Sequence, residues 1–169
     1  MDALDALLTR RSIRTYTAEP VGAADVEKLL RAAMAAPSAG NQQPWHFVVV
    51  DDRATLDAIP EFHPYSAMLK QAPLAVVVCG DVAGARMPEY WQQDCSAATE
   101  NLLLAAHALG LGAVWLGICP EEDRVVATRE LLGLPPQVVP LCVVSIGHPA
   151  EDKEPPDRYE PSRVHRNRW

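Results

Sequence analysis

The chain has 169 residues, 49% of them hydrophobic and 22% charged, which suits one domain able to bury a core without disulfides or structural metal. Its net charge of −7 argues against nucleic acid or an anionic membrane surface as partner, so any anion site must be local. No apolar run approaches the roughly 18 residues of a membrane span, Met1 leads into DALDALLTRR without an export signal, and Cys79, Cys95, Cys119 and Cys142 form no CxxC pair; a cytoplasmic protein with buried, reduced thiols is expected.

Residues 2–9 carry Leu4, Leu7 and Leu8 at helical spacing and run into Arg10-Arg11-Ser12-Ile13-Arg14. Over 23–36, Val26, Leu29, Leu30, Ala33 and Met34 share one helical face, and Pro37 stops the pattern. A loop from Ser38 to Trp45 leads into an apolar strand at 46–50. Short helices are predicted at 53–58 and 66–71, then a buried strand from Leu74 to Cys79. Residues 90–109 make the longest helix, apolar almost all round and therefore central, with Gly110 as its stop. Ala113 to Gly117 is another buried strand. Pro120, read as the first helical position, opens a helix with Glu121, Glu122 and Asp123 complementing the dipole, ending at Gly133. Val138 to Gly147 is the last strand, interrupted by Pro140. Residues 148–169 are proline-rich, unable to form a core, and end in Tyr159 and Trp169, as a segment that wraps around something would. Helices first, then strands interleaved with helices, predict an α+β sandwich with a mixed sheet.

Several chemistries lack their motifs. There is no phosphate loop, no GxGxxG opening a helix, no HExxH, no GxSxG, and the five histidines have no ligand spacing. Three segments remain. Three guanidiniums and a hydroxyl within residues 10–14 suit a phosphate, although the same residues could be a solvated basic helix end. Pro37 to Trp45 offers mixed donors and acceptors for a heterocycle, or is a plain helix-to-strand connection. Trp115-Leu116-Gly117 ends a strand in a glycine that lets a ligand approach backbone N–H, or is simply core.

In this order and spacing the chain resembles the FMN-dependent nitroreductase family, in its short, lidless form. The resemblance covers nearly the whole chain. It is carried by Arg10-Arg11-Ser12-Ile13-Arg14 and by Ala36-Pro37-Ser38-Ala39-Gly40-Asn41-Gln42-Gln43-Pro44-Trp45. Gln93 to Asn101, Gly110 to Trp115, Gly147-His148-Pro149 and Asp157-Arg158-Tyr159 corroborate it.

The resemblance implies a three-layer α-β-α sandwich around a mixed, mainly antiparallel sheet. It also implies an intertwined homodimer with FMN at the interface. Residues 1–169 would form a single FMN-binding domain, with 148–169 an extension wrapping the partner subunit. Arg10, Arg11, Ser12 and Arg14 would hold the phosphate and ribityl chain, and Arg158 would complete the clamp. Pro37, Ser38, Ala39 and Asn41 would come from the partner subunit. Leu116 and Gly117 would lie beside the isoalloxazine, with the glycine N–H towards N5. Hydride would pass from NAD(P)H to a small oxidised acceptor, a nitroaromatic or quinone, by a ping-pong mechanism with no protein nucleophile. Leu116 replaces the acidic residue of several nitroreductases, and too little chain separates Gly80 from Trp91 for a large lid. His63, Tyr65, Tyr90, Trp91 and Gln93 are candidates for the substrate side, with Trp91 also suiting the core. The other readings are a flavin-binding or sensing protein without turnover, and a reductive dehalogenase or flavin-cleaving relative.

Overall fold

Local chemistry sets the helix boundaries. The computed structural model describes residues 1–169. Helix α1 (Ala3–Thr9) begins at Asp2, whose carboxylate accepts the Leu4 N–H at 2.9 Å. Helix α2 (Ala23–Met34) buries Leu29 and Ala33 and stops ahead of Pro37. Asp52 caps α3 (Arg53–Ala58) by accepting the Thr55 N–H at 2.8 Å. The 18 residues of α4 (Trp91–Ala108) form the longest helix. Helix α5 (Glu122–Leu132) ends on Gly133, whose φ of 62° is the left-handed cap a glycine adopts at little cost. Pro120 is not its first residue. Glu121 is the N-cap, and Pro120 occupies the turn ahead, where its missing N–H is of no consequence.

The strands are β1 (Trp45–Val50), β2 (Leu74–Asp81), β3 (Gly112–Gly117) and β4 (Val138–Gly147), in the order β1-β2-β4-β3. All three pairings are antiparallel; the parallel element of the expected mixed sheet is one bridge, Ser12 to Ala113. Alternation along β2 divides the core into two faces. Val76 and Val78 pack with Leu29, Ala98, Leu102 and Ala106 under α2 and α4. Val77 and Cys79 pack with Leu56, Ile59 and Leu69 on the opposite face, where Val125 and Leu131 of α5 join them. The result is the three-layer α-β-α sandwich. Leu102 is fully buried, so truncation to alanine would cost roughly 2–5 kcal/mol.

Pro140 does not interrupt β4. The strand runs on through a bulge: Val78 pairs with Cys142 and Cys79 with Pro140, leaving Leu141 without an opposite residue. The carbonyl of Leu141 then accepts the N–H groups of Ile118 at 3.0 Å and Cys119 at 3.1 Å. That contact ends β3 and fixes where Gly117 stands.

The C-terminal segment divides in two. Residues 148–154 return along residues 11–17 of the same chain, with Thr17 N–H donating to His148 O and Ala150 N–H to Thr15 O, each at 2.9 Å. Residues 157–169 are exposed throughout. Cys79, Cys95 and Cys142 are buried free thiols, and burial raises the first two to about 12. No helix is long and apolar enough to cross a membrane.

Candidate functional site

The basic segment is held by its apolar members. Ile13 is buried and donates its N–H to Ala113 O at 3.0 Å, and the buried Tyr16 hydroxyl donates to Ile13 O at 2.7 Å. Gly112 makes this approach possible: a Cβ there would lie 2.6 Å from Ile13 Cγ2. With Ile13 and Tyr16 turned inward, the arginines on either side of Ile13 face out.

The returning segment closes over them. Glu151 accepts the Arg14 N–H at 2.5 Å, Arg11 donates to Glu154 O, and Lys153 Nζ donates to Ser12 O at 2.9 Å and to Glu151 at 3.0 Å. The Arg14 N–H, then the Lys153 ammonium, hold the Glu151 carboxyl below the usual carboxylate range. The cavity so formed, about 290 Å³, is lined by Arg10, Arg11, Ser12, Arg14, Lys153 and Arg158, without a hydrophobic side chain. Arg10 also lies 3.5 Å from Glu100. In a chain of net charge −7, this is a local cluster of basic side chains of the kind that an anion would need.

Arg14 also borders a second cavity of about 460 Å³, with His63, Tyr65, Met68, Trp115, Leu116, Gly117 and Arg124. A strand residue directs its N–H and C=O to the same side, and successive residues alternate. Ala113 O faces away from β4, since it accepts Ile13 N–H; Gly117, four residues on, therefore turns both backbone groups away from β4. A Cβ at Gly117 would meet nothing within 4 Å. Its carbonyl accepts from His63 Nε2 at 2.9 Å and from the Arg124 guanidinium at 3.1 Å. His63 Nδ1 accepts the Tyr65 N–H at 3.3 Å, and burial first, with Arg124 nearby, lowers its pKa below 6.5. Arg124 lies 5.7 Å from the centre of the exposed Tyr65 ring.

Pro37, Ser38, Ala39 and Asn41 line neither cavity. Their loop is anchored on α4 instead: buried Asp94 accepts the Ala39 N–H at 2.8 Å and the Gln42 side chain at 2.6 Å. Ser38 Oγ accepts the Gln43 N–H at 3.0 Å, and Asn41 takes a left-handed φ of 53°. The chain between β2 and α4 packs on this loop, with Arg86 donating to Gly40 O at 2.5 Å and Met87 N–H to Gln42 at 2.8 Å. It makes no lid over the Gly117 cavity. Trp91 is half-buried against the core, and neither it, Tyr90 nor Gln93 borders that cavity.

Arg10, Arg11, Ser12, Arg14 and Arg158 are thus gathered in one cavity, and Leu116 and Gly117 in its neighbour. Sequence reasoning missed Lys153 and Arg124. Lys153 carried a faint signal, a basic residue in a proline-rich stretch five positions before Arg158; Arg124 sits in an ordinary helix and carried none.

The family model described as Nitroreductase family matches residues 7–63 and 60–148. The chain belongs to the nitroreductase family. It is 50% identical over 169 residues to a protein of Methanothermobacter thermautotrophicus provisionally named NADH dehydrogenase/NAD(P)H nitroreductase, covering 100% of this chain and 88% of that one. Its fold matches an FMN-dependent nitroreductase of Clostridium difficile with a TM-score of 0.91 and 31% identity, covering 98% and 99% of the two chains. It also matches a provisionally named nitroreductase of Desulfovibrio desulfuricans solved in complex with FMN, with a TM-score of 0.86 and 32% identity over 100% and 98% of the chains.

Proposed function

We propose that this nitroreductase-family chain is an FMN-dependent enzyme that oxidises NAD(P)H and reduces a small oxidised acceptor such as a nitroaromatic or a quinone. The observation that carries the reading is a pair of cavities sharing Arg14, one wholly polar and cationic, the other walled by Trp115, Leu116 and Met68. The residues suit the cofactor: a phosphate requires the first environment and a planar ring the second, and open space at Gly117 leaves room beside the backbone. When bound, FMN would supply the redox chemistry between NAD(P)H and the acceptor.

The chain's own part is binding and orientation. Arg10, Arg11, Ser12, Arg14 and Arg158, with Lys153, hold the phosphate end. Leu116 and the Gly117 backbone flank the ring. No carboxylate or histidine is assigned proton transfer: His63 already uses both ring nitrogens on backbone groups. Leu116 and Met68 give the cavity apolar lining.

The reading includes a homodimer formed by single-domain chains, residues 1–169, each extended by 148–169. Pro37, Ser38, Ala39 and Asn41 would then complete the partner's site, in keeping with their distance from the cavities of their own chain. Leu4, Leu8, Val164 and Trp169 are exposed apolar side chains of the kind a second copy covers. A cytoplasmic location accords with four free cysteines.

The test is an absorption spectrum of the purified protein, followed by anaerobic NADH, then NADPH, then a quinone or nitroaromatic. Bleaching of a flavin band by a nicotinamide and its return with the acceptor are expected. A colourless protein that ignores added FMN would overturn the reading, and a yellow one without turnover would point to a flavin-binding protein instead. Light scattering on the eluting protein checks the dimer.

A further inference from the structure

Arg124 stands where a helix disfavours a cation. It is the third residue of α5, in the turn whose free N–H groups form the positive end of the helix dipole. Glu121, Glu122 and Asp123 precede it and are exposed, yet none of the chain's ion pairs includes Arg124. Its side chain lines the cavity of about 460 Å³ instead, which no carboxylate borders. One guanidinium N–H donates to Gly117 O at 3.1 Å, and the guanidinium carbon lies 5.7 Å from the centre of the Tyr65 ring. These contacts hold the group without neutralising it. A guanidinium has five N–H donors, so most of the fork is left for a ligand.

The surface around it suits a ring. Tyr65 is 71% exposed at the rim, edge-on to His63, and Met68, Trp115 and Leu116 add apolar area. The phosphate of the cofactor has a separate cavity, where Arg14 is joined by Arg10, Arg11, Lys153 and Arg158. We propose that Arg124 is a specificity-determining residue, whose free N–H donors pair with a carboxylate carried on the ring of an aromatic acceptor. The inference rests on the reductase reading above and names the class of acceptor, an aromatic anion. A planar fork and a carboxylate make two parallel hydrogen bonds, which orient the ring as well as hold it. Arg124 takes no part in moving electrons or protons.

The test uses a matched pair, 4-nitrobenzoate and 4-nitrobenzamide, which share the ring and the nitro group and differ in charge. Steady-state kcat/KM for each is measured with NADH or NADPH on wild-type holoenzyme, Arg124→Gln and Arg124→Lys. The ratio of benzoate to benzamide should fall about tenfold in Arg124→Gln, which loses a charge-assisted pair. It should fall about threefold in Arg124→Lys, which keeps the charge without the fork. A change in the fold or in the flavin alone acts on both compounds and cancels in the ratio. An unchanged ratio in Arg124→Gln would overturn the proposal. Weaker binding of NAD(P)H in the anaerobic half-reaction, with that ratio unchanged, would also overturn it and assign the guanidinium to the phosphates of the donor. If Arg124→Gln does not fold, Arg124→Lys decides, and no fall there sinks the idea. Calorimetric titration of the purified protein with the same two compounds needs no turnover and should show the same tenfold loss. If the wild type oxidises no NAD(P)H, the reductase reading fails, and the titration still decides whether Arg124 selects the anion.

Discussion

The ammonium of Lys153 donates to the carbonyl oxygen of Ser12 at 2.9 Å, although 141 positions of chain separate them. This bond, with Glu151 on the Arg14 N–H, brings the returning C-terminal segment beside the N-terminal arginines and completes a cavity that neither segment forms alone.

Lys153 should therefore matter to cofactor retention as much as the arginines do. In Lys153→Ala, or in Arg14→Ala, loss of a charge-assisted bond of about 1.5–3 kcal/mol should weaken FMN binding roughly 10- to 100-fold. Fluorescence titration of the flavin measures it. The loss should shrink as salt is added, because screening weakens the wild-type site as well.

Two glycines should respond in opposite ways to alanine. Gly112→Ala places a Cβ 2.6 Å from Ile13 Cγ2 and should destabilise the fold by about 1–3 kcal/mol, read from the urea midpoint. Gly117→Ala meets no atom within 4 Å, so stability should stay near wild type. The new methyl projects into open space at the cavity wall and should lower flavin affinity. Equal flavin affinity in Gly117→Ala and wild type would remove that glycine from the site.

Asp94 holds the Pro37–Asn41 loop on α4 from a buried position, 4% exposed, by accepting from Ala39 and Gln42. Asp94→Ala leaves the Ala39 N–H without its partner and the Gln42 amide with Met87 O alone, and should cost about 1–3 kcal/mol in unfolding free energy. Protease cleavage should then appear within residues 37–43 before it appears elsewhere. Asp94→Asn keeps one acceptor and should fall between the two.

Stability should decline in mild acid. Burial lowers the pKa of His63 and of His107 below 6.5, with Arg124 and Arg10 respectively adding to the effect. As pH falls through 6.5 the unfolded chain takes up protons that the folded chain refuses, so stability is full above that value and declines until the folded imidazoles titrate. Urea midpoints at descending pH should show this slope, and His63→Gln should flatten it.

Local signals along the chain specify the elements and their order. Apolar periodicity, Pro37, Gly110 and Gly133 at helix ends, and the β-branched run of β2 are local signals, and each is read within a few residues. The sequence also pointed to most residues that line the two cavities, because Arg10 to Arg14 and Trp115 to Gly117 are contiguous motifs. The rest depended on where distant segments meet. Nothing within a dozen residues of Pro140 announces that its strand continues through a bulge at Leu141, since the partner that tolerates it lies in β2. Lys153 joins the arginine-lined cavity only by folding back on Ser12, and Arg124 reaches Gly117 O only because the turn after β3 brings α5 against the strand's end. Tertiary packing decided these placements, because a hydrogen bond is made between atoms in space and leaves no trace in the spacing of residues along the chain.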